Sequence, residues 1–456
     1  MRSIAVFLLW SLAVPVTASE AVTPVPLGET GSALGLLALA IFVVAYGFVM
    51  AEEFIHLRKS KPVMLAAGLI WVIVGVLAAR HPNGVEGMEV NLHHDLLEYS
   101  ALLLFLLVAM TYINAMTERN VFEALRAWLI NRNFSYRKLF WITGFTAFFL
   151  SPIADNLTTA LLMGAVLLSV GAQSPKFVGL GCINIVVAAN AGGAFSPFGD
   201  ITTLMVWQSG NAQFFEFFGL FVPALVNFVV PALIMNFAVP NMNPTSETAV
   251  VKLKRGAFVI CGLFLCTIAT AVSFEQVLHL PPYLGMMTGL SYLFFYSYYI
   301  KITSPEDHED FGSFNIFNKV AQAEWDTLFF FFGVIFCVGG LGYIGYLEIL
   351  SATLYDGYGA TVANVALGVI SAIIDNIPVM FAILTMDPEM DLFQWLLITM
   401  TTGVGGSLLS IGSAAGVALM GQARGLYTFF SHLKWSWAVA LGYAASILAH
   451  FLINGS

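Results

Sequence analysis

The stretch "SPIADNLTTALLMG" (Ser151–Gly164) sets a proline, an aspartate, an asparagine and two threonines inside a long apolar run. A second stretch, "SAIIDNIPVMFAIL" (Ser371–Leu384), repeats the pattern with Asp375, Asn376 and Pro378. Each stretch breaks a helix in its middle and puts a carboxylate at the break. Unwound chain in hydrocarbon leaves N–H and C=O groups unpaired, so it survives only where protein or a water-filled cavity covers it. A carboxylate near the bilayer centre costs about 2.5–3.5 kcal/mol on insertion scales, which marks it as functional. No Lys or Arg lies in either break.

The rest of the chain supports a bilayer setting. Of 456 residues, 59% are apolar, only 10% are charged and 39 are Phe, and the mean hydropathy is +0.85. A set of water-soluble domains needs far more polar surface, and many separate runs reach the roughly 18–20 residues that cross a bilayer core. A barrel would instead alternate over ten-residue strands. The expected class is an all-α polytopic membrane protein. Four Cys, all within apolar runs, suggest neither a disulfide framework nor a metal centre. A net charge of −9 and the lack of a Gly-rich phosphate loop point away from nucleic acid and from direct ATP use.

Residues 1–18 read as a signal peptide, with Arg2 as the basic start, Ile4 to Val14 as the apolar stretch and Val16-Thr17-Ala18 as the cleavage site. The mature N-terminus is then periplasmic. Full spans are expected near 33–51, 63–79, 96–116, 177–207, 214–238, 257–277, 282–300, 327–345, 395–420 and 435–452. Residues 139–170 and 361–387 are too long for one span and too short for two. If each is a re-entrant hairpin, 16 of the 18 Lys and Arg fall in cytoplasmic loops, as the positive-inside rule asks. The first hairpin then opens to the cytoplasm and the second to the periplasm.

The two halves share landmarks. Asp155-Asn156 and Asp375-Asn376 are 220 residues apart; Gly192-Gly193 and Gly405-Gly406 are 213 apart, as are Gly199 and Gly412. The Gly-broken spans are "NAGGAFSPFGDITT" (Asn190–Thr203) and "GVGGSLLSIGSAAG" (Gly403–Gly416). The reading is an inverted-topology repeat with two re-entrant helical hairpins and two discontinuous transmembrane helices, the pattern that points to a secondary transporter. It divides the chain into scaffold helices (19–95), a first repeat (96–240), connecting helices with a cytoplasmic loop (241–323) and a second repeat (324–456).

Asp155, Asp200 and Asp375 sit in or beside the breaks. Asn156, Thr158, Thr159, Asn190, Thr202, Thr203, Asn376, Ser410 and Ser413 surround them with hard oxygen donors, a chemistry that suits Na⁺ or Li⁺ rather than a transition metal. Desolvation favours the neutral form of a carboxylate, so H⁺ and Na⁺ compete for one site, and competition with alternating access gives exchange. Asp200 faces Ser413 in the second repeat, which makes the first half the main ion site and Asp375-Asn376 its support. Glu98 and Asp326 begin equivalent spans, as ion-path acids or as dipole-stabilised helix starts. His93 and His94, beside Asp95 and Glu98, titrate near neutrality and are candidates for pH sensing.

"SPIADNLTTALLMG", "NAGGAFSPFGDITT", "EWDTLFFFFG" (Glu324–Gly333) and "IIDNIPVMFAIL" (Ile373–Leu384) resemble the motifs of NhaD-type sodium/proton antiporters, within the ion transporter superfamily, from about residue 33 to the end. The resemblance implies exchange of external H⁺ for internal Na⁺ or Li⁺ at alkaline pH across a bacterial inner membrane, with no cofactor. It also implies a homodimer in which a transport domain carrying both hairpins moves against a scaffold. The positions it matches are Asp155, Asn156, Thr158, Asn190, Asp200, Thr202, Thr203, Asp326, Thr327, Asp375, Asn376, Ser410 and Ser413. The nearest rival is a sodium-coupled anion symporter of the same superfamily, expected to have neutral tips in place of Asp155 and Asp200; an oxyanion exporter has no decisive feature. An intramembrane aspartyl protease is the rival outside transport, but Ala154 and Pro197 miss its motifs.

Overall fold

The computed structural model describes residues 25–55, 57–132, 134–171, 174–242, 251–303 and 314–455, and the expected signal peptide lies outside them. The described chain is helical. In order the helices are α1 (Ala33–Met50), α2 (Glu52–Ile55), α3 (Ser60–Ala78), α4 (Gly84–Glu118), α5 (Val121–Asn131), α6 (Tyr136–Ala154), α7 (Asn156–Gly171), α8 (Pro175–Gly193) and α9 (Ile201–Gln208). There follow α10 (Phe221–Asn236), α11 (Ala257–Leu278), α12 (Pro282–Thr303), α13 (Ile316–Ala321), α14 (Trp325–Ile344), α15 (Tyr346–Ser351) and α16 (Ala360–Ile370). The chain ends with α17 (Asn376–Met386), α18 (Leu392–Gly405), α19 (Ala414–Gln422), α20 (Phe429–Leu433) and α21 (Ser436–Asn454). Among the described residues, eight helices are long and apolar enough to cross a bilayer.

The expected breaks fall where the sequence places them. Residues 139–170 are two helices, α6 and α7, that meet at Asp155 and pack on each other. Residues 361–387 are α16 and α17, separated by 371–375. The spans 177–207 and 395–420 each split into two helices, α8 with α9 and α18 with α19. One expectation needs correction. The span placed at 96–116 is a 35-residue helix, α4, about 52 Å long at 1.5 Å per residue and longer than the hydrocarbon core. Residues 84–95, between the spans expected at 63–79 and 96–116, are therefore helix, so His93 and His94 lie within α4 rather than before it.

Burial sorts the helices into an inner and an outer set. Helix α8 is buried on every side and packs against α6, α7 and α10; a helix apolar all round belongs in a protein interior. Helix α14 packs on α3 and α4 and is also largely buried. Helices α1 and α11 turn broad apolar faces outward, as lipid-facing helices do.

Close backbone approaches recur between the two halves. Gly192 leaves no room for a side chain beside the Phe148 carbonyl, and Gly405 none beside the Gly368 carbonyl. A Cβ on Gly193 would fall 2.6 Å from the Gly199 oxygen, and one on Gly406 would fall 2.6 Å from the Gly412 oxygen. Ser151 Oγ donates to the Ala189 carbonyl at 2.6 Å, and Ser371 Oγ to the Thr402 carbonyl at 2.9 Å. Phe148 and Ser151, in the first interrupted stretch, move on by 220 positions, and Ala189, Gly192, Gly193 and Gly199, in the broken helix, by 213.

Candidate functional site

Local chemistry fixes each break. Asp200 is the N-cap of α9 and Ser413 the N-cap of α19, with nearly identical backbone angles (φ −143, ψ 142 and φ −142, ψ 147). An Asp or Ser there satisfies N–H groups that the first helical turn leaves open. Asp375 caps α17 in the same way, accepting from the Ile377 N–H at 3.4 Å. Asp155 is held at φ +56, ψ 162, a conformation that costs a non-glycine residue about 1–3 kcal/mol. Its carboxylate offsets part of that by accepting from the Thr158 N–H at 2.7 Å and the Thr158 hydroxyl at 2.8 Å.

The breaks converge on Asp200. Its carboxylate accepts from the Asn156 amide at 2.8 Å and from the Asn376 amide at 3.3 Å, so residues from both interrupted stretches meet on it. The Thr202 N–H and hydroxyl each donate to it at 2.9 Å. Asn190 links the set: its side-chain oxygen accepts from Asn156 at 3.2 Å, while its nitrogen donates to Ser407 and Ser413 at 2.8 and 2.9 Å. Amides and hydroxyls are neutral, so they orient the carboxylate without cancelling its charge. Asp155, Asn156, Thr158 and Asp200 line a cavity of about 100 Å³, together with Asn376 and Glu324.

Other expected residues stand further off. Thr203 is buried and donates weakly to the Gly193 carbonyl at 3.5 Å. Ser410 and Thr159 are buried, and their hydroxyls find no hydrogen-bond partner among the described residues. Asp326, Thr327, Asp375 and Ser413 line an adjoining cavity of about 250 Å³. His93, His94 and Glu98 line neither cavity; the two histidines are exposed on α4, and His94 lies 3.8 Å from the buried Asp95.

No Lys or Arg lies in either break, but Lys59 reaches one of them through the fold. Its ammonium lies 3.4 Å from the Asp375 carboxylate and 4.3 Å from the centre of the Phe330 ring. It comes from the residue just before α3, 316 residues away in sequence. Glu324 was also missed as a lining group, although it opens the quoted "EWDTLFFFFG". The third missed group is His432, fully buried. Its Nε2 is 2.9 Å from the Ser407 carbonyl and its Nδ1 is 2.7 Å from the Tyr427 hydroxyl. A carbonyl only accepts, so Nε2 carries the proton and Nδ1 accepts from Tyr427. This ties the unwound 406–413 segment, and through Ser407 the Asn190 side chain, to the end of the chain.

The chain is similar along most of its length to proteins whose names state their activity. The Na(+)/H(+) antiporter NhaD of Alkalimonas amylolytica is 57% identical over 460 aligned residues, covering 96% of this chain and 94% of that protein. The Na(+)/H(+) antiporter NhaD of Vibrio cholerae is 56% identical over 93% of both chains. The chain belongs to the NhaD antiporter family. More distantly, sodium/proton antiporter 1 of Arabidopsis thaliana is 32% identical over 91% of this chain and 72% of its own length. A family model described as citrate transporter (CitMHS) also matches residues 17–403. An NhaD protein moves ions without converting them, so the chain is a multi-pass transporter rather than an enzyme and needs no cofactor.

Proposed function

We propose that the chain exchanges Na⁺ or Li⁺ for H⁺ across the cytoplasmic membrane by alternating access, with Asp155 and Asp200 as the shared ion and proton site. One observation carries this reading. Amides from both interrupted stretches, Asn156 and Asn376, reach the single Asp200 carboxylate, and no described cationic side chain bonds to it. A carboxylate so placed takes its counter-charge from a proton or a metal ion, one at a time. Proton competition weakens as pH rises, so cation loading strengthens at alkaline pH. Asn156, Thr158, Asn190, Thr202 and Thr203 complete the first-half site; Asp326, Thr327, Asp375, Asn376, Ser410 and Ser413 support it from the second.

The recurring contacts at offsets of 220 and 213 support an inverted repeat with hairpins at 139–170 and 361–387, entering from opposite faces. In this arrangement the mature N-terminus is periplasmic, and two copies pair as a homodimer around moving transport domains.

The deciding experiment follows proton flux in everted vesicles from an antiporter-deficient host with a ΔpH-sensitive dye. Dye recovery on adding Na⁺ or Li⁺, absent in inserted Asp155→Asn and Asp200→Asn, is expected. No cation response from neutral to alkaline pH would sink the reading. The citrate-transporter family model favours anion symport as a second reading. Asp155, Asp200 and Glu324 outnumber Lys59 in the same cavity and oppose a polyanion there, and labelled citrate uptake separates the two.

A further inference from the structure

We infer that the larger cavity is a second cation site, a vestibule that holds a still-hydrated Na⁺ before it reaches Asp155 and Asp200. This rests on the antiport reading and adds a loading step to it. The vestibule is bounded by Glu52, Glu324, Asp326 and Asp375, with Lys59 as its basic member, so four carboxylates face one ammonium. Three of the acids already have limited bonding. Asp326 accepts from Ser60 Oγ at 2.5 Å, Glu52 from the Lys59 N–H at 3.4 Å, and Glu324 from the Thr327 hydroxyl at 3.3 Å. Each of these donors is neutral, so none of these bonds brings a positive charge to the three carboxylates.

A separate observation points to a ligand. Tyr46, on α1, is 5% exposed and lines the vestibule, yet its hydroxyl has no hydrogen-bond partner among the described residues. A buried hydroxyl without a partner costs about 1–3 kcal/mol, which a water of a hydrated cation, or the cation itself, removes. Size agrees. A cavity of about 10–15 Å³ already holds one water, so about 250 Å³ accommodates an ion with several waters. The inner cavity of about 100 Å³ holds far fewer. Lys59, Leu157, Glu324, Thr327 and Ala414 line both cavities and form the partition between them. An ion crossing it sheds water and exchanges it for the fixed oxygens around Asp200.

Lys59 lines the vestibule, with Arg58 and Lys61 beside it in the chain, and basic residues at span ends favour the cytoplasmic side, so the vestibule loads from the face that everted vesicles present outward. The test compares the apparent KM for Na⁺ on the two faces, in everted and right-side-out vesicles, for wild type, Glu52→Gln and Tyr46→Phe. Glu52→Gln is expected to raise the KM about tenfold on the everted face, the effect of one charge at intermediate dielectric. Tyr46→Phe is expected to raise it about threefold, the order of one neutral hydrogen bond. Saturating rates and the opposite-face KM stay within about twofold of wild type, well inside one tenfold step. An unchanged KM in both inserted variants overturns the vestibule, and so does an equal rise on both faces. Sodium NMR line broadening on purified Asp155→Asn/Asp200→Asn protein separates this from failure of the antiport reading. Residual binding weakened by adding Glu52→Gln supports the vestibule even without transport; no residual binding overturns it.

Discussion

The two halves of the molecule use the same backbone device with different charge. In the first, the N-cap of the short helix after the break is Asp200, and two threonine groups and two asparagines orient it. In the second, the equivalent N-cap is Ser413, which accepts from Asn190 and from its own helix. The acids of the two interrupted stretches differ as well. Asp155 is satisfied by neutral Thr158, whereas Asp375 pairs with Lys59. Close glycine packing builds both breaks alike. Ion chemistry at the breaks then needs an acid without a cationic partner there, and the first half keeps two, Asp155 and Asp200, where the second has Asp375 paired with Lys59.

The sharpest way to break this comparison is to exchange the caps' chemistry. Asp200→Asn should lower Na⁺-dependent proton flux about a thousandfold, equivalent to about 4 kcal/mol. Ser413→Ala should cost no more than about fivefold, as one neutral hydrogen bond does. Comparable losses in vesicles of equal protein content would show that the halves contribute equally.

The next effect concerns the paired acid. Lys59→Gln leaves Asp375 mostly buried without its counter-charge and should destabilise the protein by about 3 kcal/mol, the lower end for a broken buried pair. Lys59→Gln/Asp375→Asn should recover most of that loss in a thermal-unfolding assay of the purified protein. A double variant as unstable as the single one would mean that the pair is not what holds this corner together.

Smaller again is the glycine test. Gly192→Ala and Gly405→Ala should each cost about 2 kcal/mol, since backbone must move to admit a methyl group. Detergent-solubilised variants melting at clearly different temperatures would show that the two breaks are not built alike. The smallest effect belongs to the second half's extra anchor. His432→Leu should raise the KM for Na⁺ about fivefold by freeing the Ser407 carbonyl and loosening Asn190, on the order of 1 kcal/mol. His432→Gln places an N–H where Nε2 stood and should restore a near-normal KM; equal KM values for Leu and Gln would remove His432 from any positioning role.

Much of this was legible from composition and spacing alone. The helices at 33–50, 60–78, 257–278 and 436–454 lie within a few residues of the expected spans, because apolar length is a local property that the bilayer reads directly. The interruptions at Asp155 and 371–375 were legible because a Pro and an Asp-Asn pair are poor continuations of an apolar helix. The start of α4 was not. Acidic and His residues between 86 and 95 look like loop, yet they keep a helical path that tertiary packing supports, with Asp95 closing on Gly339.

By itself, then, the sequence determined the helical membrane class, the positions of the breaks, the paired landmarks and the acids that sit in them. Each depends on residues near one another in the chain. Tertiary structure alone decided which polar groups meet: Lys59 with Asp375, Asn376 with Asp200, Asn190 with Ser413, and His432 with Ser407. Apart from the last, these pairs lie 176 or more residues apart. A buried polar group must find a partner, but its own neighbourhood in the chain does not say which; only the packing of the broken helices against one another does.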